Sequence, residues 1–246
     1  MNTFRADLHI HTVLSPCSNL EMSPGKIVSR AKEQKLDIIG VTDHNSTRNC
    51  KLLKKLGEEL GLYVLMGVEV TTREEVHCLA FFEKDNFLDE FQQYLENNLP
   101  YIKNDTDYFG YQVVVDENEN ILDEIDSLLI VGINKSIDEV HNMVRKLNGI
   151  FIPAHVDRPR NSLISQLGFL PEDICPDAIE INGTSEKTDF IINHPEFSRF
   201  SLIKNSDAHM LSQIGRKYSD YKLENISFRE ISFALNQKHG REVVIP

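Results

Sequence analysis

Short apolar runs alternate with amphipathic stretches along most of this chain. Phe4 to His11 reads as a strand, and Ser23-Pro24 then starts a helix whose apolar positions Ile27, Val28 and Ala31 share one face. Leu36 to Thr42 (LDIIGVT) is predicted as a buried strand and Ser46 to Leu60 as a lysine-rich amphipathic helix. Leu62 to Val70 and Val76 to Phe82 are further strands, the first of them central and parallel.

From Lys84 to Ser136 the pattern changes. Phe87 to Asn98 has helical spacing, and the stretch from Gly110 to Leu122 reads as a small hairpin about the acidic turn Asp116–Glu119. This segment, about 84–136, is expected to be an insertion on one domain spanning 1–246. Alternation then resumes with a helix at Ile137–Leu147 and strands at Gly149–His155 and Asp177–Ile181. Leu202–Asn205 leads into Ser206–His209, followed by a helix near Ser227–Gln237 and a last strand at Glu242–Ile245. Repeated strand–helix units with polar residues at the strand C-terminal ends predict an α/β fold of (β/α) barrel type.

Composition narrows the classes. With 246 residues, 41% hydrophobic and 26% charged, the chain has ordinary globular character and ample material for a core. A net charge of −12 repels phosphate backbones, so no long nucleic acid is expected as a tightly bound partner. No apolar run approaches the roughly 20 residues of a membrane span, and the start MNTFRADLHIH is no signal peptide. The expected location is the cytoplasm, with no membrane partner. Cys17, Cys50, Cys78 and Cys175 form no CxxC pair, which argues against a disulfide framework or a zinc knuckle. Trp is absent, so any stacking on nucleobases would rest on Phe and Tyr.

The histidines carry the chemistry. His9 and His11 lie at i and i+2 at the end of the first strand, so both imidazoles face one side. His44 follows the second strand in VTDHN, Glu69 sits near the end of the third in GVEV, and His77 lies in the fourth. His155 closes IFIPAH, and Asp207 and His209 repeat the i, i+2 arrangement in NSDAH. Taken singly, these have plainer readings: a lone HxH often has one imidazole in and one out, and His44 could neighbour a helix cap. Glu69 is different, because a carboxylate in an apolar strand needs a cationic or metal partner. Together they predict a metal cluster at the C-terminal mouth of a barrel, in donors that suit Zn, Mn or Fe. His141, in a helix beside Glu139 and Arg145, is expected at the surface.

HIH, TDH, GVE, PAH and SDAH, in this order, resemble the motifs of the PHP (polymerase and histidinol phosphatase) family over nearly the whole chain. The resemblance implies a distorted seven-stranded (β/α) barrel and a metal-dependent phosphoesterase with two or three divalent ions. It implies that His9, His11, Glu69 and Asp207 bind a first metal and that His44 and His209 bind a second. Glu69 would bridge to a third held by His77 and His155. Cys17 stands where some relatives place a histidine, and is expected either to ligate the second metal or to be a packed residue. Asp43 is expected to act beside the cluster by orienting a ligand imidazole. Arg158, three residues after His155, and Arg216 in IGRKY are the candidate phosphate contacts, with Arg160 a weaker one. The expected chemistry is attack by metal-activated hydroxide on a phosphomonoester or short nucleotide. An exonuclease acting on DNA ends and a histidinol-phosphatase-like enzyme are the alternatives. Oligomeric state is not legible in the sequence.

Overall fold

Strands rich in Val, Ile and Leu that are buried along their length need cover on both faces. The computed structural model, which describes residues 1–182 and 187–246, supplies that cover. The first half runs β1 (Asn2–Ile10), α1 (Pro24–Glu33), β2 (Ile38–Val41), α2 (Cys50–Glu59), β3 (Tyr63–Thr71) and β4 (His77–Phe82). Then come α3 (Asp85–Asn98) and a hairpin of β5 (Val113–Val115) and β6 (Ile121–Glu124). The chain continues through α4 (Ile137–Lys146), β7 (Ile150–Pro153), α5 (Leu163–Leu167), β8 (Ile179–Glu180), α6 (Lys187–Asn193) and β9 (Leu202–Ile203). It finishes with β10 (Ser219–Leu223), α7 (Phe228–Leu235) and β11 (Glu242–Val244).

Among the described residues, seven strands form one mixed sheet in the order β11-β10-β1-β2-β3-β4-β7, curled into a half-barrel. β1, β2 and β3 run parallel, whereas β4 is antiparallel to β3 and β7 antiparallel to β4. The reason lies in the connection. A parallel crossover needs a dozen residues or more, and here the Thr72 N–H donates to the Val76 carbonyl at 3.0 Å, closing a tight turn. His77 therefore sits at the start of its strand rather than at a C-terminal end, and the reversal still delivers it beside Glu69. β10 has no counterpart in the sequence pattern, because Ser-Asp-Tyr-Lys-Leu is short and half polar; it pairs antiparallel to β1.

β8 and β9 form a separate parallel pair. Hydrogen bonds tie the pair to the main sheet on both sides. Val156 N–H donates to the Glu180 carbonyl at 2.9 Å, and His11 N–H to the Ala208 carbonyl at 3.0 Å.

Two apolar clusters fill the structure. One, including Ile27, Leu53, Phe82, Phe91 and Val140, lies between helices and sheet. The other, including Leu8, Leu65, Leu79, Phe81, Ile152 and Tyr221, is a second core. Strand alternation puts Glu69 on the face of Leu65, and His77 on the face of Leu79 and Phe81. His141 departs from expectation: it is buried, edge-on to Phe151 at 5.1 Å, and accepts the Arg145 Nε–H at 3.3 Å.

Close strand approach depends on Gly40, where a Cβ would lie 2.4 Å from the Leu8 carbonyl oxygen. That oxygen belongs to the backbone and cannot swing aside. Gly40→Ala is expected to cost about 1–3 kcal/mol in urea denaturation. Wild-type stability in that variant would show that β1 and β2 can part without penalty.

Candidate metal centre

Glu69 is the point at which the ligand-bearing segments meet. Its carboxylate is 1% exposed. Oε1 lies 3.3 Å from His9 Nε2, 2.9 Å from His77 Nδ1 and 3.1 Å from His155 Nε2. Oε2 lies 3.3 Å from His11 Nε2 and 3.2 Å from His44 Nδ1. Asp207 Oδ1 stands 3.2 Å from both His9 Nε2 and His11 Nε2, while the His209 ring stacks on His11 at 4.1 Å.

Backbone ladders set these positions. Glu69 N–H donates to the Asp43 carbonyl and Asn45 N–H to the Glu69 carbonyl, both at 3.0 Å, which fixes the turn carrying His44 against β3. His155 and Asp207 adopt positive φ values of 29° and 52°. Non-glycine residues hold that conformation at a cost, and such strain concentrates at functional sites.

Among the described residues the donor atoms form three groups, in each of which they lie within 4.8 Å of one another. These are His9, His11, Glu69 and Asp207; His11, His44 and His209; and His44, Glu69 and His77. Burial alone would raise the Glu69 carboxyl, yet the imidazoles of His77, His9 and His44 outweigh it and hold the group well below the carboxylate range. Burial likewise works against a charged His9, and the carboxylates of Glu180, Asp207 and Glu69 overcome it and lift that imidazole well above its ordinary value. His209 goes the other way, lowered to about 4 by burial and by His11.

The arrangement fits divalent cations. His9 Nε2 and His11 Nε2 face each other at 3.2 Å, a contact that needs a proton or a cation among the lone pairs. His77 Nε2 and His155 Nδ1 are buried without a hydrogen-bond partner. His44 Nδ1 lies 3.2 Å from Glu69 Oε2, and Asp207 Oδ1 3.2 Å from the His9 and His11 Nε2 atoms, both without hydrogen-bond geometry. Unsatisfied atoms cost free energy in a core, and four in one cluster are what bound ions would relieve.

Supporting groups aim the imidazoles. Glu180, fully buried on β8, faces His9 Nδ1 at 3.0 Å and accepts from His155 N–H and Asn205 Nδ2, each at 2.8 Å. Sequence reasoning missed it, although a carboxylate inside DAIEI carries the signal that singled out Glu69. Asp43 lies in a hydrogen-bond chain to His11 and not to its neighbour His44. It accepts from Ser15 Oγ at 2.7 Å, and that hydroxyl contacts His11 Nδ1 at 2.9 Å. Two further bonds from Thr12 pin Asp43 beneath the loop.

A cavity of about 340 Å³ opens over the cluster, lined by Cys17, His44, Glu69, His77, Arg158, Arg160 and Asp207 among others. Cys17 is exposed at its rim and joins none of the three donor groups. Arg158 reaches Asp207 Oδ2 at 2.6 Å. Arg216 is exposed and does not line the cavity.

A buried histidine–carboxylate cluster under an open, arginine-edged cavity has the donor set of a metal centre. The chain belongs to the PHP domain family, whose model matches residues 7–156. The divalent metals that phosphoesterases of that family use suit the donors present here.

Uncharacterized protein YqxK of Bacillus subtilis is 27% identical over 99% of this chain, and the match covers 65% of YqxK. MJ1587 of Methanocaldococcus jannaschii is 35% identical over 33% of this chain and 52% of its own length. The chain thus spans about two-thirds or less of these relatives. Among solved structures, the lesion-specific endonuclease PfuEndoQ of Pyrococcus furiosus superposes with a TM-score of 0.73 at 21% identity, over 98% of this chain and 58% of that one. A structure from Bifidobacterium adolescentis assigned as a metal-dependent phosphoesterase gives a TM-score of 0.60 at 21% identity, over 83% and 87%.

One expectation is overturned. Endonuclease Q has been solved with a 27-mer duplex carrying an abasic lesion at its active site, and that structure shares this fold with a TM-score of 0.70. Net charge therefore does not exclude long nucleic acid. The total of −12 averages over the whole surface, whereas the cavity edge carries Arg158 and Arg160.

Glu180→Gln is expected to weaken metal affinity about 10–100-fold, read by competition with a chromophoric chelator. Cys17→Ser is expected to leave metal stoichiometry unchanged in elemental analysis. Selective loss of one equivalent would return the thiolate to the ligand set.

Proposed function

We propose that this protein hydrolyses phosphodiester bonds in DNA, admitting a strand or a lesion site to the cavity above the cluster. The observation that carries this reading is the pairing of a buried donor cluster with an open cavity edged by Arg158 and Arg160. Similarity to endonuclease Q over 98% of the chain supports it. Two or three ions of Zn, Mn or Fe would be held by His9, His11, Glu69 and Asp207, by His44 and His209, and by His77 and His155 with Glu69. We also read β8 and β9 as completing a distorted seven-stranded barrel between β7 and β1.

Bound divalent cations supply Lewis acidity and lower the pKa of water toward neutrality. The chain's own residues do the rest. Glu180 and the Ser15–Asp43 pair hold His9 and His11 in one orientation, so the donors are set before substrate arrives. Arg158, half-exposed and paired with Asp207, is the guanidinium placed to meet a phosphoryl oxygen. Asp207 thus shares its charge between the cluster and the substrate-facing arginine.

A phosphomonoester or short nucleotide is the second reading, favoured by that single arginine–carboxylate pair, since one guanidinium suffices for a terminal phosphate.

Chelator-treated protein is expected to be inactive and to recover on adding Mn²⁺. An abasic-site duplex, an undamaged duplex, a single strand and a panel of phosphomonoesters should then be compared. Strand incision is the expected result; phosphate release from monoesters alone would move the assignment to the second reading. His9→Ala and Asp207→Ala should fall to background with the fold intact by circular dichroism. Arg158→Ala should lower kcat/KM roughly 10–100-fold, the worth of a hydrogen bond to a charged group.

A further inference from the structure

Outside the cluster, large apolar side chains are exposed in the segment leading to β5. Tyr108 is 80% exposed and Phe109 37%, their rings edge to face at 4.7 Å. Isolated exposed rings are unremarkable, but a pair of aromatics kept in water on an ordered turn is a surface waiting for a partner.

The turn is ordered. Tyr108 and Phe109 N–H groups both donate to the Asp105 carbonyl, at 3.1 and 2.8 Å, and Gly110 N–H donates to Thr106 at 3.1 Å. Asn104 Nδ2 holds the Gly110 carbonyl at 2.8 Å. Gly110 has a φ of 97°, and a Cβ there would lie 2.3 Å from the Pro16 carbonyl oxygen. Only glycine lets the turn lie this close to the loop that follows β1. Its neighbour Cys17 lines the cavity. The turn that carries the two rings is thereby fixed against the loop whose Cys17 lines the cavity.

The cavity edge carries charges of the opposite kind to the chain's total. Arg158 and Arg160 line it. Lys217 donates to Asn182, whose N–H donates to Asp157 at 2.8 Å, next to Arg158. Cations near the scissile position and aromatics beside it match the two faces of a nucleotide chain, its phosphates and its bases.

We propose that Tyr108 and Phe109 form a stacking platform for unpaired nucleobases adjoining the scissile phosphate, so that the insertion sets the substrate class. This inference rests on the phosphodiester reading above and extends it to residues outside the metal cluster. Phosphate contacts hold a strand whatever its bases, whereas stacking requires bases that are free of a partner strand. The platform therefore favours single-stranded, frayed or lesion-opened DNA over intact duplex.

The chain has no tryptophan, which makes a direct test available. Tyr108→Trp introduces a lone indole at the platform, and its fluorescence reads stacking with no need for catalysis. A short oligothymidylate is expected to quench it. An oligomer of equal length and charge built from abasic nucleotides is expected to leave it bright. The double variant Tyr108→Ser/Phe109→Ser, with unchanged thermal unfolding, is expected to bind oligothymidylate roughly 10–100-fold more weakly by anisotropy.

Equal quenching by both oligomers, or unchanged affinity in the double variant, would overturn the platform and leave the rings as a surface for another protein. The phosphodiester reading fails separately, if metal-loaded wild-type protein cuts no DNA. Quenching by oligothymidylate with no incision would keep the platform and sink the proposed reaction.

Discussion

The Glu69 carboxylate is withdrawn from water at the centre of the site, and the surrounding architecture answers that fact. An ionised carboxylate in a protein interior costs several kcal/mol unless opposite charge reaches it. Here imidazoles converge on both oxygens from β1, from the turn after β2, from β4 and from the segment after β7. No one element could supply them all. The sheet must curl for these segments to meet, and the apolar side chains of the second cluster occupy the strand faces that Glu69 and His77 share. Packing and electrostatics thus impose the same geometry. Removing Glu69 would leave several buried imidazoles without a counter-charge, so the carboxylate is as much a structural element as a chemical one.

The parts of this site legible in the sequence were those where residue type and strand position coincide. HIH, GVE and SDAH could be read because a strand end places alternate side chains on one face, and the donors fall in that register. Glu180 escaped because its strand carries no neighbouring histidine to draw notice, although the burial argument applied to it equally. The direction of β4 depended on a turn between Thr72 and Val76, a detail of chain length rather than hydrophobic pattern. Asp43 shows the limit of adjacency. Successive residues in extended chain point opposite ways, so it serves His11 through Ser15 and turns away from His44.

Net charge misled for a related reason. A formal total says nothing of where its charges lie; Asp85 and Asp89, for example, sit on a helix surface paired with Lys54 and Lys51. Others, such as Glu69 and Asp207, are committed to the cluster. What a phosphate group at the cavity would meet is the local set there, and that set includes guanidinium groups. A chain can therefore be acidic overall and still present an edge suited to phosphate.

The contact between Gly110 and Pro16 has a consequence for how such chains diversify. The segment leading to β5 touches the loop of the first motif through bare backbone, at a distance no side chain could share. It cannot be exchanged between relatives as a detachable cassette. A graft of the 84–136 segment would import a new surface only if it also brought a glycine in a left-handed conformation to this point, and if the recipient's first loop followed the same path. The path of this segment and the geometry of the metal cradle are thus mechanically joined at one residue, and a hybrid mismatched there would disturb the donors themselves.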